Sequence, residues 1–214
     1  MADLSRLGQA SLSIQLSSTI GDRQSAAFLL QEKHGVPAAR IHFPIGARLS
    51  DVWWDTLCSH FNMAIPPKHS HERGRLIDSY VGGHKYVFGA RAIVYGEEDL
   101  VVGLAAFLTE IGIIPVLCAS GGKSGRLASS MQEVCGESTS RITIRDGMDF
   151  EQIAELAREL SVPLIRVGFP VHDRFGAQRL AHIGYRGTQQ LFDRIVCAIQ
   201  EKRQEQSEVG YAYL

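Results

Sequence analysis

The 214-residue sequence lacks any C-x-x-C pair: its four cysteines, Cys58, Cys118, Cys135 and Cys197, stand far apart. That spacing excludes the dense disulfide framework of a small secreted chain and predicts reduced, partly buried thiols. An excess of charge is missing too. With 22 basic and 23 acidic residues the net charge is −1, so nothing pulls the chain toward nucleic acid or an anionic membrane. Long apolar runs are absent: Leu100–Leu108 falls well short of the roughly 20 residues of a membrane span. The opening MADLSRLGQA has neither the basic nor the apolar region of a signal peptide. These absences predict a soluble cytoplasmic protein that contacts neither nucleic acid nor membrane. No internal repeat or low-complexity stretch interrupts it.

Several catalytic signatures are also wanting. There is no G-x-S-x-G elbow and no Walker A frame; Ser120-Gly121-Gly122-Lys123-Ser124-Gly125 imitates the latter only in composition. His60, His69, His71 and His84 fall near one another in sequence. Residues at i and i+2 do not share a helix face, however, and no carboxylate sits at ligand spacing, so solvated histidines are expected rather than a metal site.

What is present is a parallel α/β pattern. Ser11–Leu16 alternates polar and apolar residues as a strand does, and a helix is expected over about Arg23–Lys33, stopped by Gly35. Ala39–Phe43 reads as a second strand and Leu49–Phe61 as a second helix. Pro66-Pro67 then marks a boundary, followed by a charged, exposed helix Lys68–Tyr80 and a stretch loosened by Gly82, Gly83 and Gly89. Beyond it come a strand (Arg91–Tyr95), a helix apolar nearly all round (Leu100–Ile111) and a strand (Ile114–Cys118). A helix (Ser124–Val134), a short strand (Arg141–Ile144) and an amphipathic helix (Asp149–Leu160) continue the alternation. Pro163–Val167 is a buried strand and Gly187–Arg203 a final helix. Strands alternating with helices predict Rossmann-like parallel sheets flanked by helices. The expected units are a partial βαβα lobe at 1–65, a helical connector at 66–88 and an α/β lobe at 89–214.

Two places have the chemistry of a site. Gly96, at the end of a strand, precedes a helix led by Glu97-Glu98-Asp99, and Ser120-Gly121 end the next strand. This is the crevice where doubly wound folds take ligands, but the acidic entry repels phosphate and favours a structural, acid-capped reading; Ser120–Gly125 as an anion-binding nest is the alternative. The second place is the loop after Val167, with His172, Asp173, Arg174 and Arg179, then Gly184-Tyr185-Arg186-Gly187. A structural latch through Asp173 and Arg174 and a ligand site are both open there.

The stretch Val162–Gly187, with its GFPVHDR segment, resembles β-type subunits of the nitrogenase component 1 family. So do Arg73–Asp78 (RGRLID), Arg91–Leu108 and Leu12–Pro37, and Val209–Leu214 resembles the tail of the N subunit of the iron–molybdenum cofactor scaffold. The resemblance spans nearly the whole chain. It implies parallel-sheet lobes and a heterotetramer with an α-type partner and homologous copies, in which an iron–sulfur cluster and a molybdenum-cofactor precursor are handled and a reductase iron protein docks. It implies no catalytic residue and no independent activity for this chain, and no cofactor or metal bound by it alone. Family members are roughly twice as long, their cluster cysteines lie in an N-terminal part without counterpart here, and Leu16–Asp22 holds no cofactor-ligating cysteine. The family's strand–helix unit between Asp149–Leu160 and Val162–Val167 is replaced by Ser161, so the second lobe is expected to lack one strand. Three functions compete: a β-type fragment serving cofactor assembly in nitrogen fixation, a β-subunit fragment of a molybdenum, vanadium or iron-only nitrogenase, and a free-standing small-ligand-binding module.

Overall fold

Ser25 and Gly35 set the ends of the first helix. The Ser25 hydroxyl accepts from the Phe28 N–H at 3.5 Å, and Gly35 takes φ 69°, the left-handed conformation that stops a helix. The computed structural model describes residues 4–21, 25–159, 164–168 and 182–211. This helix, α1 (Ala26–His34), connects β1 (Ser13–Leu16) to β2 (Ala38–Ile41), which pair in parallel from Ser13–Ala38 to Leu16–Ile41. α2 (Ala47–Phe61) and α3 (Pro67–Val87) follow.

The rest alternates as the pattern predicted: β3 (Arg91–Gly96), α4 (Glu98–Glu110), β4 (Ile114–Ser120), α5 (Leu127–Cys135), β5 (Thr143–Arg145), α6 (Phe150–Glu159), β6 (Leu164–Gly168) and α7 (Gly184–Tyr211). The four strands form one parallel sheet in the order β5-β4-β3-β6. The fold is α/β, with parallel sheets flanked by helices. Ser161, where the shortened connection is expected, lies outside the described residues.

Helix α4 explains why residues 100–108 are apolar on every side. All nine are buried. The sheet, α5 and the segment Phe43–Leu49 converge on the helix and share one core with it. Gly103 makes the third approach possible: a Cβ there would lie 3.1 Å from Phe43 Cβ and 3.2 Å from the Phe43 carbonyl oxygen. The other face of the sheet is covered by α6, with Ile153 packed against Ile93, Tyr95 and Leu117. Two strands cannot close a stable sheet alone, and the first segment accordingly leans on this lobe through Phe43, Ile45 and Leu49.

The expected loosening at Gly82-Gly83 is corrected by the structure. α3 runs unbroken through both glycines to Val87, and it is not uniformly exposed: Glu72, Leu76, Gly83 and Val87 are buried. α3 packs against α7, and a Cβ on Gly83 would lie 2.5 Å from Phe192 Cε1. The glycine is there to admit a ring, not to break a helix. Only Gly89, with φ 75°, lies past the helix end.

Gly46 sits in a constrained turn. Its φ is 94°, and a Cβ would meet Glu110 Oε2 at 2.8 Å. That carboxylate accepts from the Ala47 and Arg48 N–H groups at 2.8 and 3.1 Å, so α4 supplies the cap for α2. Gly46→Ala is expected to cost about 2–3 kcal/mol, combining backbone strain with a disturbed cap. Gly35→Ala, with the same kind of φ but nothing within 4 Å, should cost only about 1 kcal/mol. Urea unfolding of both variants is the check; equal losses would mean Glu110 does not cap α2.

Candidate functional site

Strand order locates the crevice. From β3 the chain steps outward through β4 to β5, then returns to place β6 on the other side of β3. The reversal falls between β3 and β6, paired from Arg91–Leu164 to Tyr95–Gly168, and doubly wound folds take ligands beyond the carboxyl ends of such strands. Gly96 closes β3 with φ 149°. His172, Asp173, Arg174 and Arg179 lie outside the described residues.

The described half of the crevice is filled by the chain's own carboxylates. Asp99 is 7% exposed, and its Oδ1 accepts from the Ser18 and Thr19 N–H groups at 3.0 and 3.2 Å. Glu98, also buried, accepts from the Ser124 N–H at 3.0 Å. Gly122 lies so close that a Cβ would stand 2.9 Å from Glu98 Cδ. The positive end of α4 thus receives two side chains of its own, where an anion-binding helix would receive a phosphate. These acids also clamp two loops, one after β1 and one after β4.

The Ser120–Gly125 loop is also tied by bonds within the chain. The Gly122 N–H donates to Ser120 Oγ at 3.1 Å, and the Arg126 N–H to Ser124 Oγ at 3.0 Å. The Ser120 and Gly122 carbonyls accept from the Met148 and Gly147 N–H groups. Ser120 is 1% exposed, whereas Gly121 is open to solvent. Of the sequence candidates, Gly96, Ser120 and Gly121 therefore share one end of the sheet, in a crevice knit together by hydrogen bonds.

A constellation that sequence reasoning missed lies where α2, α3 and α7 meet. Arg73 donates to both oxygens of Asp51, at 2.8 and 2.9 Å, and the Tyr185 hydroxyl donates to Asp51 Oδ1 at 2.7 Å. Burial, then the bond to Asp51, pushes the Tyr185 phenol above its ordinary range. Nearby, the Gly184 N–H reaches the Pro44 carbonyl at 2.7 Å and the Gly46 N–H reaches Thr188 Oγ1 at 3.0 Å. The chain leaving residues 169–181 is thereby anchored at once. No local signal joins Asp51 to Tyr185 across 134 residues.

The histidines are dispersed. His69 Nδ1 lies 3.0 Å from Glu72, His60 Nε2 donates to the Ser11 carbonyl at 2.8 Å, and His84 stacks near Phe88. Among the described residues no three His, Cys, Asp or Glu side chains gather to hold a metal ion. Cluster ligands are thiolates, and burial pushes the Cys118 and Cys135 thiols up, toward the protonated form. Cys58 is half-buried on α2 and Cys197 exposed on α7. These residues do not fit an iron–sulfur cluster held by this chain alone. No helix among the described residues is long and apolar enough to cross a membrane.

The sequence profile of the nitrogenase component 1 type oxidoreductases matches residues 1–162 and 152–200. The molybdenum-iron protein β chain of Methanothermobacter thermautotrophicus is 32% identical over 189 residues, 79% of this chain and 41% of that one. The vanadium-iron protein β chain of Trichormus variabilis is 32% identical over 200 residues, covering 82% and 43% respectively. A solved structure of nitrogenase Cp1 at pH 6.5 superposes with a TM-score of 0.79 at 25% identity, over 95% of this chain and 48% of that one. The chain spans less than half the length of these relatives.

Proposed function

Because the chain belongs to the nitrogenase component 1 type oxidoreductase family, we propose that it serves as part of a β-type subunit in iron–molybdenum cofactor assembly for nitrogen fixation. In this reading it is a structural element of an electron-transferring heterotetramer, beside an α-type partner and homologous copies, with a reductase iron protein as visitor. The observation that carries the reading is the family profile running over almost the whole chain, together with relatives named as β chains. The assembly role is supported by the tail Val209–Leu214, similar to that of the scaffold's N subunit.

Residues 1–65 act as a partial βαβα lobe, 66–88 as a helical connector and 89–214 as a Rossmann-like α/β lobe short of one strand–helix unit. No catalytic step is assigned to it, and the scattered cysteines, with burial pushing the Cys118 and Cys135 thiols up, support a chain that binds no cluster by itself. A second reading, part of the β subunit of a molybdenum or vanadium nitrogenase, is favoured by the names of the relatives. A free-standing small-ligand module has less support, since Glu98 and Asp99 fill the described half of the crevice.

Anaerobic reconstitution with iron and sulfide, followed by iron analysis and visible spectroscopy, tests the reading. The isolated chain is expected to stay colourless with substoichiometric iron, while co-expression with an α-type partner yields a complex that handles the cofactor precursor. Stable loading of a four-iron cluster by the chain alone, which takes about four thiolates, would overturn it. So would failure of every α-type partner to co-purify.

A further inference from the structure

We infer that His42 is an acid trigger built into the fold. When its imidazole takes up a second proton the residue leaves α5, residues 43–46 lift out of the core, and their tie to the first turns of α7 opens with them.

The first observation is the seat of the ring. His42 directly follows β2, and its side chain is only 20% exposed, with Nε2 3.2 Å from Glu133 Oε2 on α5. In the neutral imidazole Nε2–H donates to that carboxylate, and Nδ1 keeps a lone pair. Nδ1 is buried, and among the described residues no hydrogen-bond partner meets it. The neutral ring tolerates this, because an idle acceptor leaves no charge uncompensated. The imidazolium does not: its Nδ1–H is a buried donor on a charged ring, with nothing to accept from it.

The second is the charge around the ring. Glu133 on α5 and Asp99 at the start of α4 favour the imidazolium, and Arg48 on α2 opposes it. Glu133 is 65% exposed, so water screens it, and Asp99 Oδ1 is already committed to the Ser18 and Thr19 N–H groups. Burial outweighs both acids and holds the ring below its ordinary value of 6.5. An opened His42 therefore binds a proton more readily than a closed one. The closed joint is fully favoured above that ordinary value and loses ground as the pH falls below it.

The third is what hangs on the residue. Phe43 and Ile45 lie in the main core, 7% and 0% exposed, with Phe43 set against Gly103 of α4. The Pro44 carbonyl accepts from the Gly184 N–H at 2.7 Å and from Ser50 Oγ at 3.2 Å. The Gly46 N–H donates to Thr188 Oγ1 at 3.0 Å. Residues 43–46 thus alternate between the core and α7, and a displacement at His42 pulls on both.

Hydrogen exchange of the 214-residue chain at about pH 7.5 and about pH 5.5, corrected for the intrinsic pH dependence of exchange, tests the inference. The Ile45, Gly46 and Gly184 amides should lose about threefold to tenfold of their protection at the lower pH, where one proton contributes about tenfold at most. Those of residues 100–108 should keep theirs. His42→Gln can still donate to Glu133 but takes up no proton; it should match the parent at the higher pH and abolish the acid loss. Glu133→Gln removes an anion that favours the imidazolium, and should move the loss toward the tenfold limit. An NMR titration of the parent needs no variant, and the His42 ring should titrate below 6.5. A midpoint at or above that value, protection indifferent to pH, a smaller acid loss in Glu133→Gln, or a loss that persists in His42→Gln overturns the inference. Equal loosening of residues 100–108 also overturns it, since acid would then open the whole lobe and not this joint.

Discussion

Phe192→Ala is expected to remove about 3–5 kcal/mol of stability, the range for deleting a fully buried ring. Phe192 is 1% exposed in the main core, and its ring stands 5.1 Å from that of Tyr80 on α3. It also rests on Gly83, where a Cβ would come within 2.5 Å of Cε1 and 2.6 Å of Cζ. Gly83→Ala sets two effects against each other. Helix propensity favours alanine by about 1 kcal/mol, while overpacking costs about 1–3 kcal/mol. With a ring this confined the second wins, so a net loss is expected. Phe192→Leu in the Gly83→Ala background should recover part of that loss, since the shorter side chain leaves room for the methyl group. Urea unfolding of the four proteins of this cycle gives the coupling directly. Strict additivity, or a loss below about 1 kcal/mol for Phe192→Ala, would mean that α3 and α7 are not interlocked as described.

Asp99→Ala is expected to cost about 3–5 kcal/mol. Two hydrogen bonds to a charged group, at about 1.5–3 kcal/mol each, are lost, and the N-terminus of α4 loses a favourable anion. The Ser18 and Thr19 N–H groups are left without their acceptor in residues only 4% and 7% exposed. Asp99→Asn keeps an acceptor oxygen but not the charge, and should cost roughly half as much. In hydrogen exchange the Ser18 and Thr19 amides should open selectively in Asp99→Ala. A variant as stable as the parent would show that the acids do not clamp the crevice, and its ligand-binding reading would gain ground.

The elements were largely legible in the chain. Gly35 stops α1 as its position foretold, and the strands and helices beyond Arg91 follow the expected alternation with most ends displaced by a few residues, though α7 runs on to Tyr211 rather than ending at Arg203. The displacements have local causes. α5 begins at Leu127 rather than Ser124 because Gly125 stands between them in the left-handed conformation, φ 70°, which a right-handed helix does not contain, and β4 runs on to Ser120 because β3 pairs with it as far as Gly96. Gly82 and Gly83 misled because a glycine that breaks a helix and a glycine that admits a neighbour look the same in one dimension. Tertiary contact overrode propensity there.

By itself the sequence determined the order and type of the elements, the parallel α/β class, the all-round burial of α4 and the resemblance to one family. Apolar period, turn residues and motif strings are written locally, so a linear reading recovers them. Only the tertiary structure decided what the polar residues do. Asp99 finds its donors 80 and 81 residues away, Glu110 caps a helix 62 and 63 residues before it, and Asp51 meets Tyr185 across 134. Periodicity states which face of an element is apolar; it does not state which distant element covers that face. The acidic triplet was therefore readable as a helix entry but not as a clamp on two loops.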